Sequence, residues 1–157
     1  MLATIFGNNR DLGLLVIRLA LGVVMAAYGW KHIEILPGYI AFFQDLGVPM
    51  ADVMAPVVAW LEFLGGIAII IGLLTRYFGL VVAVIMVVAI SSYKLGAATA
   101  AEGEIFGLTE INPANVSWSV DLLLLAIALA LVFMGPGKLA LDMALFKTER
   151  VYPKEDE

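Results

Sequence analysis

The chain has 157 residues, 62% of them hydrophobic and 15% charged, with a mean hydropathy of +0.99. That balance lies outside the soluble range and describes a single integral membrane domain spanning 1–157. With no cysteine and one histidine, His32, the chain excludes disulfides, dithiol redox motifs, thiolate nucleophiles and cysteine-ligated clusters. It also cannot build a bis-histidine haem or a multi-histidine metal site alone, so no metal is expected. The formal charge of -5 is spread over loops and tail and offers no footprint for nucleic acid.

Met1 to Asp11 is short and polar, without the basic segment, apolar core and small-residue cleavage site of a removable signal peptide. The first span, about 12–31, should therefore be retained. It carries Arg18, Gly22, Met25, Gly29 and His32 on one stripe, because steps of 4, 7, 11 and 14 residues return near the same helix face. That stripe should face protein. Between Ile33 and Asp52 the pattern breaks at Pro37-Gly38 and at Gly47-Val48-Pro49, leaving a segment too short to span. Its Tyr39, Phe42, Phe43 and Leu46 suit a short helix lying in the interface, or a simple loop.

The second span runs over about 53–74 and the third over about 77–94, with a tight turn at Thr75-Arg76. A polar, acidic stretch with Glu102, Glu104 and Glu110 follows, then a fourth span over about 117–134 that ends at Gly135-Pro136-Gly137. The remainder, 135–157, reads as a cytoplasmic tail in which Leu139, Leu141, Leu145 and Phe146 suggest a short amphipathic piece. Four spans put both termini on the side of the Arg76 turn. Arg10, Arg76, Lys138, Lys147, Arg150 and Lys154 gather there, against Lys31 and Lys94 opposite. By the excess of basic residues that side is cytoplasmic. The expected fold is an all-α, polytopic four-helix membrane bundle, multi-pass in the cell's inner (plasma) membrane.

Glu62 is the anomaly, a carboxylate in the middle of the apolar run Ala55–Tyr77. An ionisable group at mid-membrane depth costs at least ~2.5 kcal/mol on insertion scales, so it should face the bundle interior and have a partner. From a rise of about 1.5 Å per residue, Arg18 lies roughly 9 Å, Glu62 roughly 18 Å and Asp121 roughly 20 Å above the cytoplasmic ends of their helices. Glu62 and Asp121 are thus nearly level, and the long Arg18 side chain is expected to rise toward Glu62. Gly22 and Gly65-Gly66 would let the backbones approach closely. Such a set can serve helix register alone. Functionally, two carboxylates sharing a low-dielectric pocket repel one another and suit proton transfer to a small redox carrier. Tyr28, Trp30 and Trp60 add aromatic surface in the outer half, either as belt anchors or as pocket walls, and Lys94 lies toward the same side. His32, at a helix end, reads as an ordinary solvated histidine, and the seven methionines as packing.

Three stretches carry a resemblance. They are RLALGVVMAAYGWKH from Arg18, VPMADVMAPVVAWLEFLGGIAIIIGLLTR from Val48, and VDLLLLAIALALVFMGPGKLALD from Val120. In this order, with the acid followed by a glycine pair, the G-L-L-T-R exit and the closing G-P-G-K-x-x-L-D, the chain resembles the DoxX family of small four-helix membrane proteins. The resemblance implies a role in respiratory or sulfur redox complexes, such as the membrane subunit of thiosulfate:quinone oxidoreductase. Arg18, Glu62 and Asp121 match the family's first-span arginine, second-span glutamate and fourth-span acid. Many relatives read H-G-x-x-K at the end of the first span, where this chain has Tyr28-Gly29-Trp30-Lys31-His32.

The expectation from residues and resemblance together is a membrane subunit of a redox complex that binds a quinone or similar lipid-soluble carrier. Glu62 and Asp121 would handle protons and Arg18 would fix Glu62, while Tyr28, Trp30, Trp60 and Lys94 would contact the carrier. Membrane lipid, other subunits of the complex and further copies of the chain are the expected partners. The alternative is a non-catalytic membrane anchor for a partner enzyme.

Overall fold

The structure, a computed structural model, describes residues 10–91 and 118–146, and every regular element among them is helical. In chain order these are α1 (Arg10–Glu34), α2 (Leu36–Asp45), α3 (Ala51–Ile71), α4 (Thr75–Ala89), α5 (Trp118–Met134) and α6 (Leu141–Phe146). At 25 and 21 residues, α1 and α3 reach about 37 and 31 Å, enough to cross a bilayer core of about 30 Å. They are apolar enough to do so, whereas α4 and α5 are shorter apolar helices. The expected third span continues to Lys94, which lies outside the described residues.

Small residues set how closely α1 and α3 pack. The two run antiparallel, with Gly22 against Gly66 and Ile70, and Gly29 against Glu62 and Phe63. A Cβ on Gly29 would stand 2.2 Å from the backbone nitrogen of Phe63, and one on Gly66 would stand 2.4 Å from that of Ala26. The helices therefore touch main chain to main chain. On the other side, α4 and α5 pack with Gly79 against Ala128 and Leu131. Leu14, Leu21 and Met25 from α1, Ile69 from α3, Val82 and Met86 from α4, and Leu124 and Leu131 from α5 form one core. The segment with two expected conformations is a helix, α2, with Pro37 in its first turn where a missing N–H is harmless. Tyr39, Ile40 and Phe43 seat it on Ala55 and Ala59 of α3.

A second junction closes the opposite end. Gly72 ends α3 in the left-handed region (φ 76°), which frees α4 to start after only two more residues. Leu74, at the N-terminal cap of α4, has no side-chain oxygen and itself takes φ 49°. The missing cap comes from far along the chain. Asp142 accepts the N–H groups of Leu74 at 2.6 Å and Thr75 at 3.0 Å, and its own N–H donates to Gly72 O at 2.9 Å. The G-L-L-T-R and G-P-G-K-x-x-L-D stretches are thus two halves of one joint. Asp142→Ala should lower stability by about 1–3 kcal/mol through two orphaned donors, read as an earlier midpoint in detergent unfolding followed by circular dichroism. An unchanged midpoint would mean that the cap carries no weight.

Candidate functional site

Glu62 lies on the buried face of α3 formed by Ala55, Ala59, Glu62, Gly66 and Ile69, spaced at helical intervals. The close approach at Gly29 carries the next turn of α1 across that face. There His32 Nδ1 stands 2.6 Å from Glu62 Oε2, a charge-assisted distance. The Glu62 side chain is 5% exposed and that of His32 24%, so the pair joins a buried carboxyl to a ring at the rim. Tyr39 of α2 stacks on the imidazole with centroids 4.0 Å apart and planes 6° from parallel. Burial, reinforced by the Glu62 charge, pushes the Tyr39 phenol well above its ordinary value. It is a fixed neutral partner at any working pH.

Behind this pair lies a cavity of about 950 Å³. Its walls are chiefly apolar side chains of α3 and α4, and Phe42, Phe43 and Leu46 of α2 and the loop after it close one end. Tyr28, His32, Tyr39, Glu62 and Asp121 supply its polar groups. Asp121, on α5, is 7% exposed. Met54, Val57 and Leu61 of α3 and Leu80, Val84 and Val88 of α4 line the cavity and are themselves exposed. Among the described residues, the cavity thus has an exposed apolar wall on α3 and α4. No group of three metal-ligating side chains occurs among these residues.

The sequence model of the DoxX family matches residues 13–95, which takes in α1 to α4 and the His32–Glu62 pair. The chain belongs to the DoxX family. It is similar to "Putative oxidoreductase CatD" of Bacillus subtilis (strain 168), at 30% identity over 91% of this chain and 94% of that one. It is also similar to two inner membrane proteins of Escherichia coli (strain K12). YqjF is 31% identical over 88% of this chain and 95% of its own length, and YphA 30% identical over 87% and 93%. No solved structure matches at a significant level. With this family, these relatives and its apolar helices, the protein is a membrane protein.

This DoxX protein brings together only part of the set expected from its sequence. Glu62, Asp121 and Tyr28 share the cavity. Arg18 does not approach Glu62. Its Nη1 donates to Pro136 O at 2.6 Å and its Nη2 to Leu139 O at 2.8 Å, and the carboxylate that acts on it is Asp142. The reason is register, since the Gly22–Gly66 and Gly29–Phe63 contacts place Arg18 beside Gly72, ten residues past Glu62. Trp30 and Trp60 do not line the cavity either. Both flank Phe63, and both are about half exposed, with Trp30 donating to Glu34 at 3.1 Å. Lys94 lies outside the described residues. His32 is no ordinary solvated histidine but the partner of Glu62. Its place on the Arg18–Gly22–Met25–Gly29 stripe was the available signal.

Proposed function

We propose that this DoxX protein is a multi-pass inner-membrane subunit of a redox complex whose cavity takes a quinone or similar lipid-soluble carrier. The observation that carries the reading is an apolar cavity of about 950 Å³ on which two carboxyls, two phenols and an imidazole converge. That combination of apolar wall and few polar groups suits a small amphipathic ligand, and the volume is at the upper end of such sites. The name of the CatD relative supports redox chemistry. In this reading α1, α3, α4 and α5 form a four-helix bundle across the membrane with both termini cytoplasmic. Other subunits supply the electrons, and further copies of the chain are possible partners.

The residues present fit the group. Glu62, Asp121 and Tyr28 would face its polar ring, and the apolar walls of α3 and α4 would hold its tail. A bound quinone supplies two-electron, two-proton chemistry. The chain's own task is to exclude water, orient the ring and keep carboxyl oxygens ready to give or take a proton.

Extraction of the purified protein with organic solvent and quantification of quinone per chain test the reading. Near-stoichiometric quinone is expected in the wild type. In Glu62→Gln, which loses the carboxylate that would bond the carrier's ring at about 1.5–3 kcal/mol, retention should fall about 10- to 100-fold. Wild-type quinone no higher than in a control membrane protein would overturn the proposal and leave a non-catalytic anchor for a partner enzyme.

A further inference from the structure

We propose that His32 is the point at which Glu62 exchanges protons with water, the proton passing through the imidazole ring. This rests on the reading of Glu62 as a proton-handling group and is independent of which carrier the cavity takes.

Three observations converge. First, the buried carboxyl has a hydrogen-bonding nitrogen 2.6 Å away, a distance at which a proton moves without further rearrangement. Second, that nitrogen belongs to a partly exposed side chain at the end of α1. The ring is 24% exposed against 5% for Glu62 and lies in the last turn of α1 beside exposed Lys31 and Glu34, which pair at 3.4 Å. Asp52 and Gln44, joined at 3.2 Å and also exposed, make the same end of the molecule polar. Third, the Tyr39 stack holds the imidazole plane, so Nδ1 stays on Glu62. A ring whose two nitrogens are distinct can accept a proton at one edge and release another at the opposite edge.

Around His32 the titratable groups are Glu62 from α3, Tyr39 from α2 and Tyr28 one turn back on α1, with Asp121 of α5 in the same cavity. Lys31 and Glu34 offset each other at the surface. The ring thus has one carboxyl in contact, the Tyr39 phenol stacked on it and the Tyr28 ring 6.3 Å away. Inward transfer begins with neutral His32 carrying its proton on Nδ1, bonded to the Glu62 carboxylate. A hydronium proton adds at Nε2, leaving water, while the Nδ1 proton moves to Oε2, so that a neutral ring and a carboxylic acid remain. One proton has entered and no electron has moved, and release is the same path reversed: Oε2 returns its proton to Nδ1 while Nε2 gives one to water.

The test is a pH jump on the full chain in lipid nanodiscs. Proton uptake at Glu62 is followed by the infrared carboxylic-acid band that is missing in Glu62→Gln. His32→Gln can still donate to Glu62 but cannot relay, and should slow the band's appearance by about 10²-fold. His32→Ala should be slow and be accelerated by added imidazole, with circular dichroism checking that both variants keep their helices. Exchange at the wild-type rate in His32→Gln overturns the proposal. So does a slow variant without imidazole rescue, which would assign His32 a structural role. A wild-type band unchanged between about pH 5 and pH 9 does the same, since a relay must titrate in the working range. Menadione binding to the wild type, read by quenching of tryptophan fluorescence, is scored separately. No binding counts against the carrier reading while His32-dependent exchange stands, and binding with His32-independent exchange overturns only the relay.

Discussion

Alanine at position 66 should separate α1 from α3 and lower stability by at least about 3 kcal/mol, the top of the usual range for overpacking. The added Cβ would meet Ala26 N at 2.4 Å, Gly22 O at 2.7 Å and Ala26 Cα at 2.9 Å. All three are main-chain atoms, so no side chain can swing aside, and relief requires one helix to move away from the other. Gly29→Ala repeats the experiment one contact further along, with Phe63 N at 2.2 Å. Gly13→Ala is the matched control. Nothing lies within 4 Å of its added carbon, and removing a helical glycine should raise stability by about 0.5–1 kcal/mol. Detergent unfolding of the three variants, followed by helical circular dichroism, gives the comparison. Midpoints for Gly66→Ala and Gly29→Ala no lower than for Gly13→Ala would refute backbone contact. Because the same approach delivers His32 to Glu62, a separated pair of helices should also lose that contact.

Arg18→Met is expected to cost about 3–5 kcal/mol, as when one member of a buried charged set is removed. The guanidinium is 1% exposed, bonds the carbonyls of Pro136 and Leu139 and balances Asp142, which in turn caps α4. Methionine fills much of the volume but leaves two part-buried carbonyl acceptors unpaired and one carboxylate unbalanced. A double substitution, Arg18→Met with Asp142→Asn, should recover part of the loss, since the unbalanced charge goes with it. Quinone per folded chain should stay at the wild-type value in Arg18→Met, because the joint and the cavity lie at different levels of α3. Loss of quinone from well-folded Arg18→Met protein would return Arg18 to the site.

How much of this was legible follows from the range of each interaction. Apolar runs and helical periodicity are local, so α1 and α3 can be read directly, and the stripe ending at His32 already marked the protein-facing side of α1. Glu62 stood out because its surroundings are uniformly apolar. The partner of Arg18 was not legible, since its two acceptors lie 118 and 121 residues away in a glycine-proline turn. Depth along a helix says nothing about which residues sit opposite. The register came instead from the glycines, whose pairing of 22 with 66 and 29 with 63 appears only when both helices are packed. His32 was misread for a related reason. A helix end looks solvated in one dimension, whereas in the fold the ring is stacked on Tyr39 of α2 and bonded to Glu62 of α3. The family pattern points to position 28, and in this chain Tyr28 and His32 lie one turn apart on the same face, 6.3 Å between rings.

The exposed apolar wall on α3 and α4 alters what affinity would mean for the proposed carrier. If the proposed carrier arrives past Val57, Leu61, Leu80 and Val84, it is drawn from the lipid phase, where a partitioning molecule is far more concentrated than in the surrounding water. Its encounter with Glu62 would then be a search in two dimensions, governed by mole fraction in the bilayer. A weak site can then be full at ordinary membrane content. Occupancy should follow the lipid-to-protein ratio and remain indifferent to dilution of the vesicles.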